Sequence, residues 1–307
     1  MNKQTLWLIV LVAIGLLAPL VIYPVFLMKV LCFALFAAAF NLLLGYTGLL
    51  SFGHAAFFGM ASYTCAHFVK TYGLTPELGV LAGTAVAGLL GLIVGILAIR
   101  SRGIYFAMVT LALAQMIYFF CLQAPFTGGE DGIQAVPRGH LFGLFDLTPS
   151  LHLYYFVLAV CALGFYAVYR IVHSPFGVVL KSIKDNEPRA ISLGYNADHY
   201  KLAAFTFSAT LAGLAGSTKA LVFQLASLTD VNWHMSGEVV LMTLLGGLGT
   251  MAGPALGALL VTGIQNYLAQ AGAWVTIIQG LIFFFCVLSF RAGIMGSFYQ
   301  WRNRRAH

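Results

Sequence analysis

An all-α polytopic membrane protein with about ten transmembrane helices is predicted by three features of this chain: its composition, the lengths of its apolar runs and the placement of its positive charges. Of 307 residues, 61% are hydrophobic and 8% charged, and the mean hydropathy is +0.91. A water-soluble domain of this size needs far more polar surface. A hydrocarbon core of roughly 30 Å takes about 20 apolar residues per helix. With short connections, residues 1–307 read as one compact membrane domain.

The N-terminal MNKQTLWLIVLVAIGLLAP has the charge-then-apolar order of a secretory signal. Its small-residue cleavage candidate is followed at once by Pro19, and further apolar runs follow, so it is expected to stay as a first span near 5–22. The next spans fall near 27–44, 52–69, 78–99, 103–122, 151–171 and 201–222. Residues 236–290 hold either two long spans or three short ones, broken around GGLGTMAGP and near Ala271 and Gly272. Parity decides: with the N-terminus inside, three spans keep the basic tail Arg302, Arg304 and Arg305 inside, giving ten spans and two cytoplasmic termini. This topology places twelve Lys and Arg inside and only Lys29, Lys70, Arg138 and Lys219 outside. The long outer connection, about 123–150, carries Glu130, Asp131 and Asp146 against one arginine.

Between Ser174 and Lys201 lie seven of the twenty-five charged residues. Ser174 followed by Pro175 is a helix-starting pair. Phe176, Val179, Leu180 and Ile183 then share one apolar face, with Lys181, Lys184 and Asp185 pointing elsewhere. Pro188 biases Glu187 away from helical geometry and ends this helix. Asn186 can cap a second turn or two that stops near Gly194. Spacing alone fits two readings: a knuckle that inserts into a groove on another protein, and an interfacial helix lying on the inner leaflet.

Glycine is the second signal, with runs at Gly45, Gly48, Gly53 and Gly59 and at Gly246, Gly247, Gly249, Gly253 and Gly257. Small residues let membrane helices pack closely, and interrupted helices expose backbone groups to a polar solute. Both roles stay open for most of these positions. Around GGLGTMAGP a hinge or reentrant turn is expected, because Pro254 cannot continue a helix that four nearby glycines weaken. LLGYTG at 43–48 and LLGGLG at 244–249 share a weak likeness that fits either coincidence or a parallel repeat.

Several chemistries find no support. No Gly-Lys dipeptide occurs, so there is no P-loop, and HExxH, GxSxG and acidic calcium-loop patterns are missing. Cys32, Cys65, Cys121, Cys161 and Cys286 are scattered in apolar runs and read as small hydrophobes. His54 and His67 read as packed or pore-lining, and no metal site or nucleic-acid surface is expected. Lys219 and Glu238 fall near outer span ends, where snorkelling is possible, so no midplane carboxylate signals ion coupling.

Four blocks resemble the LivM-type permease subunits of bacterial branched-chain amino acid ABC importers: NLLLGYTGLLSFGHAAFFGMASY, then GIYFAMVTLALAQ with TGGEDGI, then FGVVLKSIKDNEPRAISLGYN continuing into KLAAFTFSATLAGLAG, then EVVLMTLLGGLGTMAGPALGA. In order and spacing they span most of residues 40–260. The chain departs at Phe290-Arg291-Ala292-Gly293, where such permeases often carry a Pro-Arg-Gly-like turn. The resemblance implies a single permease domain in the bacterial inner membrane whose cytoplasmic coupling segment, about 173–200, docks on ATPase subunits through Lys184, Asp185, Asn186, Glu187, Arg189 and Gly194. It also implies a sister permease and a periplasmic solute-binding protein, which Glu130, Asp131 and Asp230 would meet unless they form a solvated rim. ATP would be bound by partners, with no cofactor and no catalysis here. Gly45, Gly48, Gly53, Gly246, Gly247, Gly249, Gly253 and Pro254 are the hinge and pathway candidates. A same-type permease for urea, short amides or another small solute, and a stand-alone secondary transporter, are the competing readings.

Overall fold

A computed structural model describes residues 22–268, apart from 142 and 144, together with a few residues on either side. Four helices there are long and apolar enough to cross a membrane: α1 (Pro24–Thr47), α3 (Pro76–Ala98), α4 (Ile104–Gln123) and α5 (Ser150–Val172). Between and after them run α2 (His54–Thr71), the short α6 (Pro175–Asp185) and α7 (Glu187–Ser192), α8 (Ala197–Phe223), the single turn α9 (Leu228–Val231), α10 (Trp233–Gly246) and α11 (Gly253–Tyr267). Four two-residue strands sit in the connections opposite α6 and α7. β1 (Ile133–Gln134) pairs antiparallel with β4 (Leu225–Ala226), and β2 (His140–Leu141) with β3 (Phe145–Asp146).

Four is fewer than the about ten expected for the whole chain, and burial and helix length account for the shortfall among the described residues. In their most apolar windows α3, α4 and α5 are at most 33% buried, so these helices turn apolar faces outward, whereas α1 is 78% buried and lies inside. α2 and α8 pack against each other and against α3, in the middle of the bundle. Their buried positions are rich in Ala, Gly, Ser and Thr beside a few large side chains, which lowers hydropathy without exposing either helix. α10 and α11 have 14 and 15 residues. At 1.5 Å per residue each is about 22 Å long, shorter than the four helices above. The expected span at 5–22, the break near Ala271 and the basic tail lie outside the described residues.

Close approach in the centre depends on small side chains. Gly79, Gly83, Ala87, Gly91 and Gly95 recur every four residues along α3, on one helix face. A methyl on Gly83 would come within 2.6 Å of the Ala61 carbonyl, and one on Gly95 within 2.8 Å of Leu202. The largest fully buried side chains, among them Phe36, Phe40, Phe57, Phe58 and Phe205, fill the core between α1, α2 and α8.

Candidate coupling and translocation site

The polar segment after α5 folds as its residues dictate. The Ser174 hydroxyl accepts the Gly177 N–H at 3.4 Å, and Pro175 starts α6. Val179, Leu180 and Ile183 are buried, and Phe176 stacks on Tyr200 with ring centroids 5.5 Å apart. The apolar face is therefore spent on this chain's own α1, α5 and α8. Helix α6 stops at Asn186, one residue before the break expected from Pro188. A proline in the first turn of α7 lacks only an N–H that has no partner there. The Asn186 side chain accepts the Arg189 N–H at 3.1 Å. Gly194, at φ +89°, closes the turn after α7 with its N–H on the Ile191 carbonyl. Outward the knuckle presents Lys181, Asp185 and Arg189, together with exposed Val178, Ile191 and Leu193.

Two tethers fix the knuckle to the bundle. Lys201, 7% exposed at the start of α8, pairs with Glu187 at 2.7 Å. Lys184 Nζ donates to the Gly45 carbonyl at 2.7 Å. A cleft of about 450 Å³ opens between these tethers, lined by Gly48, Arg102, Phe106, Lys184, Glu187 and Lys201 among others. Glu187 is thus turned inward, while Asp185 and Arg189 remain on the outer surface.

Gly45 is also where the two glycine-rich breaks meet. α1 ends at Gly48, φ +76°, and α10 ends at Gly247, φ +118°. Each is followed by a non-helical link, 48–53 and 247–252, before the next helix starts. Asn41, on α1, joins the links: its Nδ2 donates to the Thr250 carbonyl at 2.9 Å, and its Oδ1 accepts the Gly249 N–H at 3.0 Å. Asn41 lies six residues before the end of α1, about 9 Å along the axis. Irregular backbone at that depth needs internal partners. They are present: Phe52 N–H donates to Thr110 Oγ1 at 3.3 Å, Gly53 N–H to Ser51 Oγ at 3.1 Å, Ala55 N–H to Ser236 Oγ at 2.9 Å and Gly253 N–H to Thr250 Oγ1 at 3.1 Å.

The structure brings Gly45, Gly249 and Lys184 together, and it packs Gly246 and Gly257 backbone to backbone against Gly253 and Met242. Pro254 sits in the first turn of α11, so the expected interruption is a turn between two short helices. Gly53 lies apart, against Thr110. The likeness of 43–48 to 244–249 has a physical counterpart in two helix-ending glycine turns that touch. Asn41, Lys201 and Thr250 escaped the reading of the sequence. The available signal was a lone amide inside an apolar run and a lysine opening a long helix.

His54 is fully buried among Phe40, Phe57 and Phe205, in edge-to-face contacts. Ser208 spends its proton on the Ala39 carbonyl at 2.5 Å, so it accepts from His54 Nε2 at 2.8 Å. Among the described residues no cluster of His, Cys, Asp and Glu could hold a metal.

On the side opposite the knuckle, Glu130 and Asp131 occupy a short turn at the surface, both exposed. The Thr148 hydroxyl and N–H bond Asp146 and hold its carboxyl below the usual carboxylate range. Asp230 corrects the outer-face expectation. It is 2% exposed and ion-paired with Lys219, and Lys219 is 8% exposed and does not snorkel. A carboxylate at that depth is held by its cation instead of by water.

The family described as "Branched-chain amino acid transport system / permease component" matches residues 24–287. Over 249 residues the chain is 30% identical to the "High-affinity branched-chain amino acid transport system permease protein LivM" of Escherichia coli K12, covering 72% of this chain and 57% of the relative. The protein of the same description from Salmonella typhimurium LT2 is 29% identical with the same coverage. The chain thus spans a little over half the length of both relatives. No solved structure matches. A match over residues 24–287, on a bundle of apolar helices, makes this chain a member of the family of permease components of branched-chain amino acid transport systems.

Proposed function

We propose that this chain is the permease subunit of an ATP-binding-cassette importer that moves branched-chain amino acids across the bacterial inner membrane. Separate ATPase subunits, a sister permease and a periplasmic binding protein complete the machine. The observation that carries the reading is the knuckle of α6 and α7, polar outward and tied inward by Lys184 to Gly45 and by Glu187 to Lys201. Its exposed Asp185, Arg189, Ile191 and Leu193 supply mixed polar and apolar contacts of the kind a protein partner takes. ATP binding moves the ATPases, the knuckle moves with them, and the Gly45 junction shifts so that the pathway opens to alternate sides.

The topology belongs to the same proposal. The four apolar helices, α2, α8, the α10 and α11 pair and the apolar runs at 5–22 and beyond 268 support ten spans, with both termini on the knuckle side as the charge bias requires. Residues 1–307 then act as one permease domain, with Glu130 and Asp131 facing the binding protein.

The test is purification of the chain from its native membrane in mild detergent, followed by leucine uptake in proteoliposomes. Co-purifying ATPase and permease subunits, with uptake that requires ATP, are the expected result. A chain that purifies alone and still moves solute would replace this reading with a secondary transporter.

A further inference from the structure

Lys219 Nζ lies 2.8 and 2.6 Å from the two carboxylate oxygens of Asp230, with the side chains 10% and 3% exposed. Withdrawing such a pair from water is costly. Asp230 also accepts the Ser227 N–H at 3.4 Å in the capping box of α9, a bond that an amide oxygen could accept as well and that needs no lysine. The pair is also deep. Helix α9 returns the chain into the bundle against α2, where a methyl on Gly59 would come within 2.7 Å of the Val231 nitrogen and 2.8 Å of the Asp230 carbonyl carbon. Gly59 is twelve residues before the end of α2, about 18 Å along its axis.

Two further polar groups lie on the same stretch of α2. Ser62 and Tyr63 follow Gly59 by three and four residues, which puts them on the α2 face that meets α9. Both are fully buried, and neither hydroxyl has a hydrogen-bond partner among the described residues. Tyr63 lies within electrostatic reach of Asp230. Val231, Leu221, Cys121 and Ala226 close an apolar cluster around Tyr63. A cation, an anion and two unpaired hydroxyls in an otherwise apolar setting are the complement of a small solute that carries both charges.

We infer that Lys219, Asp230, Ser62 and Tyr63 form a transfer site for a zwitterionic α-amino acid, the solute's carboxylate taking Lys219 and its ammonium taking Asp230. The exchange leaves every buried charge paired, and the free hydroxyls gain partners. A neutral solute such as urea offers no charges to part the pair. A solute of net charge brings one ion more than the site can match. The site therefore selects by charge pattern, and the apolar walls receive an aliphatic side chain. This inference rests on the importer reading above.

The complete importer, reconstituted in proteoliposomes with its binding protein, provides the test. The double variant Lys219→Gln with Asp230→Asn keeps size and hydrogen-bonding capacity and strands no charge. We expect it to assemble with its partner subunits and to unfold at or above the wild-type Tm, while leucine uptake falls at least about tenfold. Tyr63→Phe provides a second measure. Removing an unpaired buried hydroxyl is expected to raise Tm, yet uptake drops severalfold because the solute loses a partner. Leucine uptake at the wild-type rate in both variants overturns the transfer site while leaving the importer intact. A wild-type complex that carries urea and not leucine overturns both readings together.

Discussion

Replacing Gly45 by alanine tests the junction between the two breaks with the smallest available change. The added methyl would stand 2.7 Å from the Gly249 nitrogen and 3.0 Å from Asn41 Cγ, closer than real contacts allow. Gly249 is at φ +70°, and a methyl on it would stand 3.4 Å from the Gly45 carbonyl oxygen, so the link has little room to retreat. Asn41 must therefore swing away or α1 must part from the link. Either route loses the bonds from Asn41 to Thr250 and from Gly249 to Asn41. Overpacking costs about 1–3 kcal/mol and the two bonds about 1 kcal/mol each, while alanine returns about 1 kcal/mol of helix propensity. The net loss is about 2–4 kcal/mol. Gly263 in α11 serves as the control, since a methyl there meets nothing within 4 Å and only the propensity gain remains. Thermal unfolding of the purified complex, with uptake in proteoliposomes, is the assay. We expect Gly45→Ala to lower Tm and uptake and Gly263→Ala to leave both at or above the wild type. Equal behaviour of the two variants would falsify the junction.

Lys184→Met removes the donor to Gly45 and keeps the aliphatic stem. Because the residue is exposed, stability should change by less than about 1 kcal/mol, while uptake per ATP hydrolysed falls severalfold; an unchanged ratio would mean that the tether transmits nothing. Glu187→Lys and Arg189→Glu separate two roles on one knuckle. The first sets a lysine against the nearly buried Lys201 and should lower Tm, whereas the second, at an exposed position, should release the ATPase at unchanged Tm. Co-purification read beside thermal unfolding checks both, and loss of Tm in Arg189→Glu would count against the docking surface. Gly247→Leu forces a branched side chain into φ +118° beside Gly293, whose own methyl would come within 2.7 Å of the Gly247 nitrogen. Uptake should be lost while the chain still inserts, and wild-type uptake would leave these glycines no mechanical part.

The elements that could be read from the sequence were those announced by local chemistry. The run expected at 103–122 is the helix Ile104–Gln123, because charge and glycine at Arg102 and Gly103 end the preceding turn as plainly as apolar side chains continue the helix. The knuckle was legible for the same reason: Ser174, Pro175, Asn186 and Gly194 each act on backbone groups within a few residues. The runs expected at 52–69 and 201–222 are the helices α2 and α8; what hydropathy did not show is that protein, not lipid, surrounds them. α2 and α8 lie inside the bundle, and their hydroxyls and small side chains look like weakness in a membrane span while serving close packing. Four-residue spacing from Gly79 to Gly95 on α3 was visible in principle, but glycines in a glycine-rich chain mark no partner until the facing helix is known. The same limit hid the site's connections. Asn41 reaches Gly249 across 208 positions and Lys184 reaches Gly45 across 139, and no local pattern records such a pairing.

These long-range contacts also decide where motion at the knuckle goes. Val179, Leu180 and Ile183 bury α6 in the bundle, while Lys184 binds it to α1 and Glu187 binds α7 to α8. A force on the knuckle therefore acts on two interior helices and bypasses α4 at the lipid-facing edge. On α1 it arrives beside Asn41, which holds the link between α10 and α11. On α8 it enters at Lys201, and the helix continues without proline to Phe223, passing through Lys219 eighteen residues later. A helix of that length transmits displacement over about 27 Å because its hydrogen bonds resist stretching. The glycine contacts along it, Gly213 against Ala87 and Gly216 against the Phe58 carbonyl, bring it close to α3 and α2 through small surfaces. Such surfaces permit sliding along the axis more readily than rotation away from it. One rod thus joins the tether at Glu187 to the ion pair at Asp230, so parting the pair at one end and moving the knuckle at the other become two views of a single displacement.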